Sequence, residues 1–343
     1  MSESPNAGPR LIFIFGAQRS GTTMLERMLS SHSMVKGGPE PHLLTPLAHT
    51  GYWRNVTKAH YDHIVAALGQ RAFIESLPSQ ADDYWRACRS YCDTLYCAFM
   101  NGDMETLCVD KTPEYSTIWP FITQVYPDAK YIVLTRHPAA IVSSFANSFF
   151  DGDYALAHEH EPILARYIPA LAAFLGQEQV SFLHVRYEDL VTDPALWMER
   201  ICDYLEVPFE QEAIEYGRPG QARTGGGLGD PINVAKHSRP SESGMHNWAA
   251  ELKAEPHKLE LLRSLINQLD PKDLEIVGYP VDSIWDPLEE EGCRVQAARV
   301  KMNGYRLQRK LIVRGRQLTQ RSPTVRNAVS WLRVSCDVLL REY

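Results

Sequence analysis

Leu11-Ile12-Phe13-Ile14-Phe15-Gly16-Ala17-Gln18-Arg19-Ser20-Gly21-Thr22-Thr23-Met24-Leu25 joins three signals in one short stretch. The apolar run Leu11–Phe15 reads as a buried strand. A polar turn with two glycines five apart follows, and Met24-Leu25-Glu26-Arg27-Met28-Leu29 then reads as a helix. Strand, glycine turn and helix open an α/β fold. Consecutive backbone N–H groups and the positive end of the helix make an anion cradle at such a turn. The spacing is that of a P-loop, yet Thr22 follows Gly21 where a nucleotide hydrolase places the Lys that reaches the β- and γ-phosphates. The cation has moved forward to Arg19. That suits a ligand with one phosphate and a group attached to it better than a triphosphate.

Working outward, further buried strands are expected at Leu107–Val109, Lys130–Thr135 and Val180–Val185. Helical patterns lie between them at Asp83–Met100, Ile118–Val125, Ala139–Phe150 and Pro194–Leu205. This alternation predicts a P-loop-type α/β fold, a mostly parallel sheet with helices on both faces. Ligands of such sheets bind beyond the carboxyl ends of the strands. Residues 217–247 are rich in glycine and proline and predict a long loop or lid. Helical patterning resumes at Trp248, and 294–341 read as two basic helices broken at Ser322-Pro323. The expected organisation is a main domain over 1–290, with its core in 10–250, and a basic helical C-terminal extension over 291–343.

Of 343 residues, 44% are hydrophobic and 22% charged, a globular profile with no run long enough to span a membrane as a helix. The N-terminal MSESPNAGPR lacks the pattern of a secretory signal. Seven cysteines without framework spacing predict free thiols and a cytoplasmic protein. Cys88, Cys92 and Cys97 stand at spacings that fit no common zinc pattern and are expected to pack within a helix. From Gly292 on lie 12 of the 35 Lys and Arg but 2 of the 42 acidic residues. The tail therefore carries +10 and the rest −17. Such a tail touches something acidic: an anionic membrane surface, a second copy of the chain, or the body itself. Nothing points to nucleic acid.

Phe15–Leu25, with its basic residue ahead of Ser20-Gly21-Thr22-Thr23, resembles the 5′-phosphosulfate loop of sulfotransferases that use 3′-phosphoadenosine-5′-phosphosulfate (PAPS). The Arg form is closest to the tyrosylprotein and bacterial branch. The resemblance covers residues 10–250 and implies that Gln18, Arg19, Ser20, Gly21, Thr22 and Thr23 hold the cofactor. Arg136, at the end of Tyr131–Thr135, and Ser144, eight residues on, match the family's pair for the 3′-phosphate. Tyr187 of Arg186-Tyr187-Glu188-Asp189 would lie near the adenosine, with Asp189 a structural cap or ion-pair partner. Lys111 of Asp110-Lys111-Thr112-Pro113 resembles the family's lysine beside the transferring group. The Arg-Lys-Gly motif that closes the cytosolic enzymes over their cofactor is missing; Lys236, Ser238 and Arg239 lie in the corresponding stretch.

Sulfuryl transfer would then run in line between two oxygens, with Arg19 and Lys111 stabilising the leaving phosphate and no metal required. Glu40 in Val35-Lys36-Gly37-Gly38-Pro39-Glu40-Pro41-His42 is the first candidate for the general base, made more basic by burial beside an apolar acceptor, and His42 the second. The expected acceptor is a hydroxyl, a small molecule or glycan ahead of a tyrosyl peptide. Tyr52, Trp53, Tyr84, Trp85, Phe149, Phe150 and Tyr154 are candidates either for its pocket or for ordinary core packing. The rival reading, a P-loop kinase or NTPase using ATP and Mg²⁺, requires the Lys that Thr22 replaces.

Overall fold

The computed structural model describes residues 8–38, 40–50, 52–53, 63–103, 105–215, 239–242 and 245–288, with Ser322, Thr324, Val325 and Ala328. Most of the glycine-rich 217–247 segment, with Lys236 and Ser238, and nearly all of the expected extension over 291–343 lie outside the described residues.

The sheet is parallel throughout: β1 (Leu11–Phe15), β2 (Val35–Lys36), β3 (Leu107–Asp110), β4 (Lys130–Thr135) and β5 (Phe182–Arg186), in the spatial order β2-β3-β1-β4-β5. The first strand is thus central, with β3 on one side and β4 on the other. This is the switch point of the topology, where the crevice beyond the strand ends opens. Phe13 lies beside Asp110 and Tyr131, and Thr135 beside Arg186, so the chain segments leaving β1, β3, β4 and β5 emerge at one edge.

The helices in chain order are α1 (Thr22–Ser30), α2 (Leu44–Ala48), α3 (His63–Glu75), α4 (Ala81–Phe99), α5 (Trp119–Val125), α6 (Pro138–Phe149) and α7 (Tyr154–His160). After these come α8 (Ile163–Leu175), α9 (Tyr187–Thr192), α10 (Pro194–Leu205), α11 (Asn247–Ala254), α12 (Pro256–Ile266) and α13 (Pro271–Ile276). Side chains alternate across β1. Leu11, Phe13 and Phe15 join a core with Tyr96, Phe121, Phe145, Leu171 and Phe174 of α4, α5, α6 and α8. Ile12 and Ile14 join a second core with Leu25, Met28, Ile201 and Leu205 of α1 and α10. Helices cover both faces, as expected. Among the described residues no helix is long and apolar enough to cross a membrane.

Local signals account for most boundaries. Pro138 and Pro194 occupy first turns where a missing N–H costs nothing, and Asp193 caps α10 by accepting from Leu196 N–H at 3.0 Å. β5 starts two residues later than the apolar run, because Gln177 Oε1 accepts from the Val180 N–H at 2.9 Å and holds a turn there. α8 was not expected, since Pro169 inside it reads as a helix breaker. Burial of Leu164, Tyr167, Leu171 and Phe174 outweighs that local cost. Cys88 and Cys92 are buried one turn apart on α4 as free thiols, and Cys97 lies on the same helix.

Candidate active site

The glycine turn is shaped by close approaches. A Cβ on Gly16 would lie 2.6 Å from Thr22 Cγ2 and 2.7 Å from the Leu134 carbonyl oxygen. Gly21 has φ 99°, and a Cβ there would lie 2.6 Å from Tyr187 Cδ2. Both positions therefore require glycine, the second also for its left-handed backbone. Arg19 adopts φ 69°, uncommon outside glycine and a mark of a functional loop. The Gly16 N–H donates to Ser116 Oγ at 2.9 Å, which fastens the loop to the 3₁₀ turn Pro113–Thr117. Thr22 and Thr23 open α1, so their N–H groups have no intrahelical acceptor.

Two arginines and a serine meet beside this loop. Arg19 Nε donates to Ser144 Oγ of α6 at 3.2 Å, and Arg136 Nη1 donates to the Arg19 carbonyl oxygen at 2.9 Å. The Arg136 guanidinium lies over the Tyr187 ring, 4.1 Å from its centroid. Arg136 and Ser144 were expected to face a single phosphate together; Arg19 is found between them. Among the described residues no carboxylate pairs with Arg136, and its Nε is buried without a partner.

Across the loop lies the third cation. Lys111 is 2% exposed, and its ammonium donates to Glu40 Oε1 and, at 3.2 Å, to Thr23 Oγ1. His42 Nε2 stands 3.7 Å from the other Glu40 oxygen. β3 delivers Lys111 directly onto the Glu40 carboxylate, a countercharge that the expectation of an apolar setting did not include. Glu26 of α1 is a further acid that sequence reading passed over. It accepts from Ser30 Oγ at 2.9 Å, and burial pushes its carboxyl above the usual range against the pull of Lys111. Asp110, next to Lys111, is fully buried and accepts from Tyr96 at 2.5 Å and Tyr115 at 3.0 Å; burial pushes it up to about 6. The Tyr115 oxygen in turn accepts from the Leu44 N–H at 3.1 Å, two residues after His42.

Residues 9–211 match the model of the Sulfotransferase family, more than half of the chain. The chain belongs to that family. The chain is 27% identical over 236 residues to Nodulation protein NoeE of Sinorhizobium fredii (strain NBRC 101917 / NGR234), covering 68% of this chain and 54% of that one. It is 23% identical over 210 residues to Protein-tyrosine sulfotransferase A of Caenorhabditis elegans, covering 60% and 52%. The chain thus spans about half the length of the curated relatives it matches. The solved sulfotransferase domain from the Synechococcus PCC 7002 olefin synthase aligns with a TM-score of 0.50 at 24% identity, over 79% of this chain and all of that one, and shows the fold.

Members of the family generally draw the sulfuryl group from PAPS. The donor set gathered at this loop suits an anionic, phosphorylated ligand. Arg19, Arg136 and Lys111 converge on one loop, the Ser20 hydroxyl is buried with no partner, and so is Arg136 Nε. Gln18 stands apart from the other loop residues, because its amide donates to Glu114 Oε1 at 3.2 Å. Asp189 lies 3.8 Å from Arg186, the ion-pair role expected of it. Among the described residues no group of His, Cys, Asp or Glu is arranged to hold a metal ion. Of the aromatic candidates, Tyr52, Tyr84 and Trp85 form one cluster, with Trp53 and Trp85 both against Phe121. Phe150 and Tyr154 are buried in the core, whereas Phe149 lies 5.8 Å from the Arg19 guanidinium.

Proposed function

We propose that this chain transfers a sulfuryl group from PAPS to an acceptor hydroxyl with Glu40 as the base. The observation that carries the reading is the Lys111 ammonium, held between the Thr23 hydroxyl at the start of α1 and the Glu40 carboxylate. When bound, PAPS supplies a sulfuryl group on its 5′-phosphate. The N–H groups of Thr22 and Thr23, with Arg19, hold that phosphate. Arg136 and Ser144 hold the 3′-phosphate, and Tyr187 borders the adenosine. Lys111 would turn from Glu40 to balance the negative charge on the leaving 5′-phosphate. Glu40, relieved of its countercharge, accepts the acceptor's hydroxyl proton; His42 stands beside it as the next proton acceptor. The scheme asks for no metal.

The acceptor proposed first is a small-molecule or glycan hydroxyl. A tyrosyl side chain is the second reading, favoured by the relatives named protein-tyrosine sulfotransferases. Calorimetric titration with 3′-phosphoadenosine-5′-phosphate (PAP), ADP, and ATP with Mg²⁺ tests the donor. PAP should bind tightly, and Arg136→Ala should abolish the advantage of its 3′-phosphate. Preferential binding of ATP–Mg²⁺ would overturn the reading in favour of a kinase. An acceptor screen with sugars, phenols and tyrosyl peptides decides between the two acceptors.

A further inference from the structure

Two adjacent residues at each of two strand exits face opposite ways. After β4, Arg136 reaches the glycine loop, while His137 turns to the segment 245–288. After β5, Tyr187 underlies Arg136, while Glu188 turns to the same segment. The Glu188 carboxylate joins the two exits: Oε1 accepts from the His137 N–H at 3.1 Å and Oε2 from the Tyr279 hydroxyl at 2.5 Å. The Tyr279 ring stands edge-on to His137, with centroids 5.5 Å apart, and lies under the Arg186 guanidinium at 4.9 Å. His137 is stacked on Trp248 at 4.3 Å. Its Nδ1 accepts from Ala139 N–H at 3.2 Å, so its Nε2 carries the proton donated to the Ile284 carbonyl at 2.8 Å. Burial lowers the His137 pKa to about 4, which keeps the ring neutral and this tautomer in place. Trp248, Tyr279 and Ile284 all lie beyond residue 211, where the family match ends.

We infer that Glu188, fixed by Tyr279, is a positioning residue that sets Arg136 against Tyr187, so that residues outside the matched segment govern selectivity for the nucleotide's 3′-phosphate. The inference rests on the reading of Arg136 as the 3′-phosphate ligand. A carboxylate carried by one exit, bonded to the other and held by Tyr279, fixes their separation. Losing one of the two bonds lets the guanidinium drift from its productive position, and small misplacements of this kind are costly. Neither Glu188 nor Tyr279 needs to touch the nucleotide for this.

The test compares affinities for PAP and for adenosine 5′-phosphate, which lacks the 3′-phosphate, in the full chain. Tyr279→Phe keeps the ring and removes only the hydroxyl. It should weaken PAP about tenfold and leave adenosine 5′-phosphate nearly unchanged, the scale expected of one lost bond to a charged group. Glu188→Ala should narrow the ratio at least as far. Glu188→Gln should restore most of it, since the amide oxygen can still accept from the His137 N–H. An unchanged ratio in Tyr279→Phe, or equal weakening of both nucleotides as a merely structural role predicts, overturns the inference. A wild-type chain that does not distinguish the two nucleotides sinks the reading of Arg136 and this inference with it. Discrimination in the wild type that survives intact in the variants sinks the inference alone.

Discussion

Lys111 and Glu40 neutralise each other across 71 residues of sequence, and that pairing shapes what each substitution should do. Glu40→Gln removes the proton acceptor and should cut turnover about 10²- to 10⁴-fold. It should leave PAP affinity within about twofold. Arg19→Ala should lower both turnover and PAP affinity, because Arg19 belongs to the donor cradle. Lys111→Ala and Glu40→Gln together should cost much less than the product of the single effects, since the two touch. Steady-state kinetics beside calorimetry separates these outcomes; multiplicative losses would show that the pair does not act as a unit. At this scale the sequence was informative about identity and silent about partnership. Arg19, Lys111 and Arg136 were legible because each follows an apolar strand, where a parallel sheet presents its ligands. The ion pair was not, since nothing local ties residue 40 to residue 111. Glu26 gave no signal either, a single acid on an otherwise ordinary amphipathic helix.

The short helix α2 depends on a contact that its own sequence does not announce. Tyr115 donates to Asp110 and accepts from the Leu44 N–H, so the end of β3 is tied to the chain leaving Glu40 and His42. Tyr115→Phe keeps the ring but strands the buried Leu44 N–H and leaves Asp110 Oδ2 with the Tyr96 hydroxyl as its remaining donor. It should cost about 1–3 kcal/mol in urea unfolding. Turnover should also fall, by displacement of the Glu40 segment, with PAP affinity held. Full turnover in the destabilised variant would confine Tyr115 to a structural role. Among larger elements, β1 and β4 were legible to the residue, as unbroken apolar runs bounded by glycine or by charge. α8 was hidden because its stability comes from tertiary burial around Pro169, a gain that periodicity does not record.

Across the whole molecule, two buried groups oppose each other on acidification. His137 has an ordinary value of 6.5 and a folded value of about 4, so between these the unfolded chain takes the proton and stability falls as pH falls. Asp110 has an ordinary value of 3.8 and a folded value of about 6. There the folded chain takes the proton, and stability gained below pH 6 is lost as pH rises through that value. Each effect is on the order of 3 kcal/mol, with Glu26 shifted in the same direction as Asp110. The His137 and Asp110 slopes nearly cancel between about pH 6 and pH 4, and Glu26 adds to the Asp110 side, so acidification over that range should not lower stability on this account. Asp110→Asn removes one arm. Its unfolding midpoint in urea should then drop relative to that of the wild type as pH falls over that range. Parallel profiles for the two proteins would refute the opposition.

The C-terminal helices bear on where the chain can be cut. Trp248, Leu252, Leu274 and Val277 lie in the same core as Phe15 and Phe174, α11 packs on α6, and α13 packs on α8. A chain ended at residue 211, the limit of the family match, would bare the apolar sides of α6 and α8 together with the buried His137 ring. Exposed surface of that kind drives aggregation. Expressed on its own, the shorter chain should collect in the insoluble fraction, and the boundary set by kinship would fall inside the smallest piece able to stand alone.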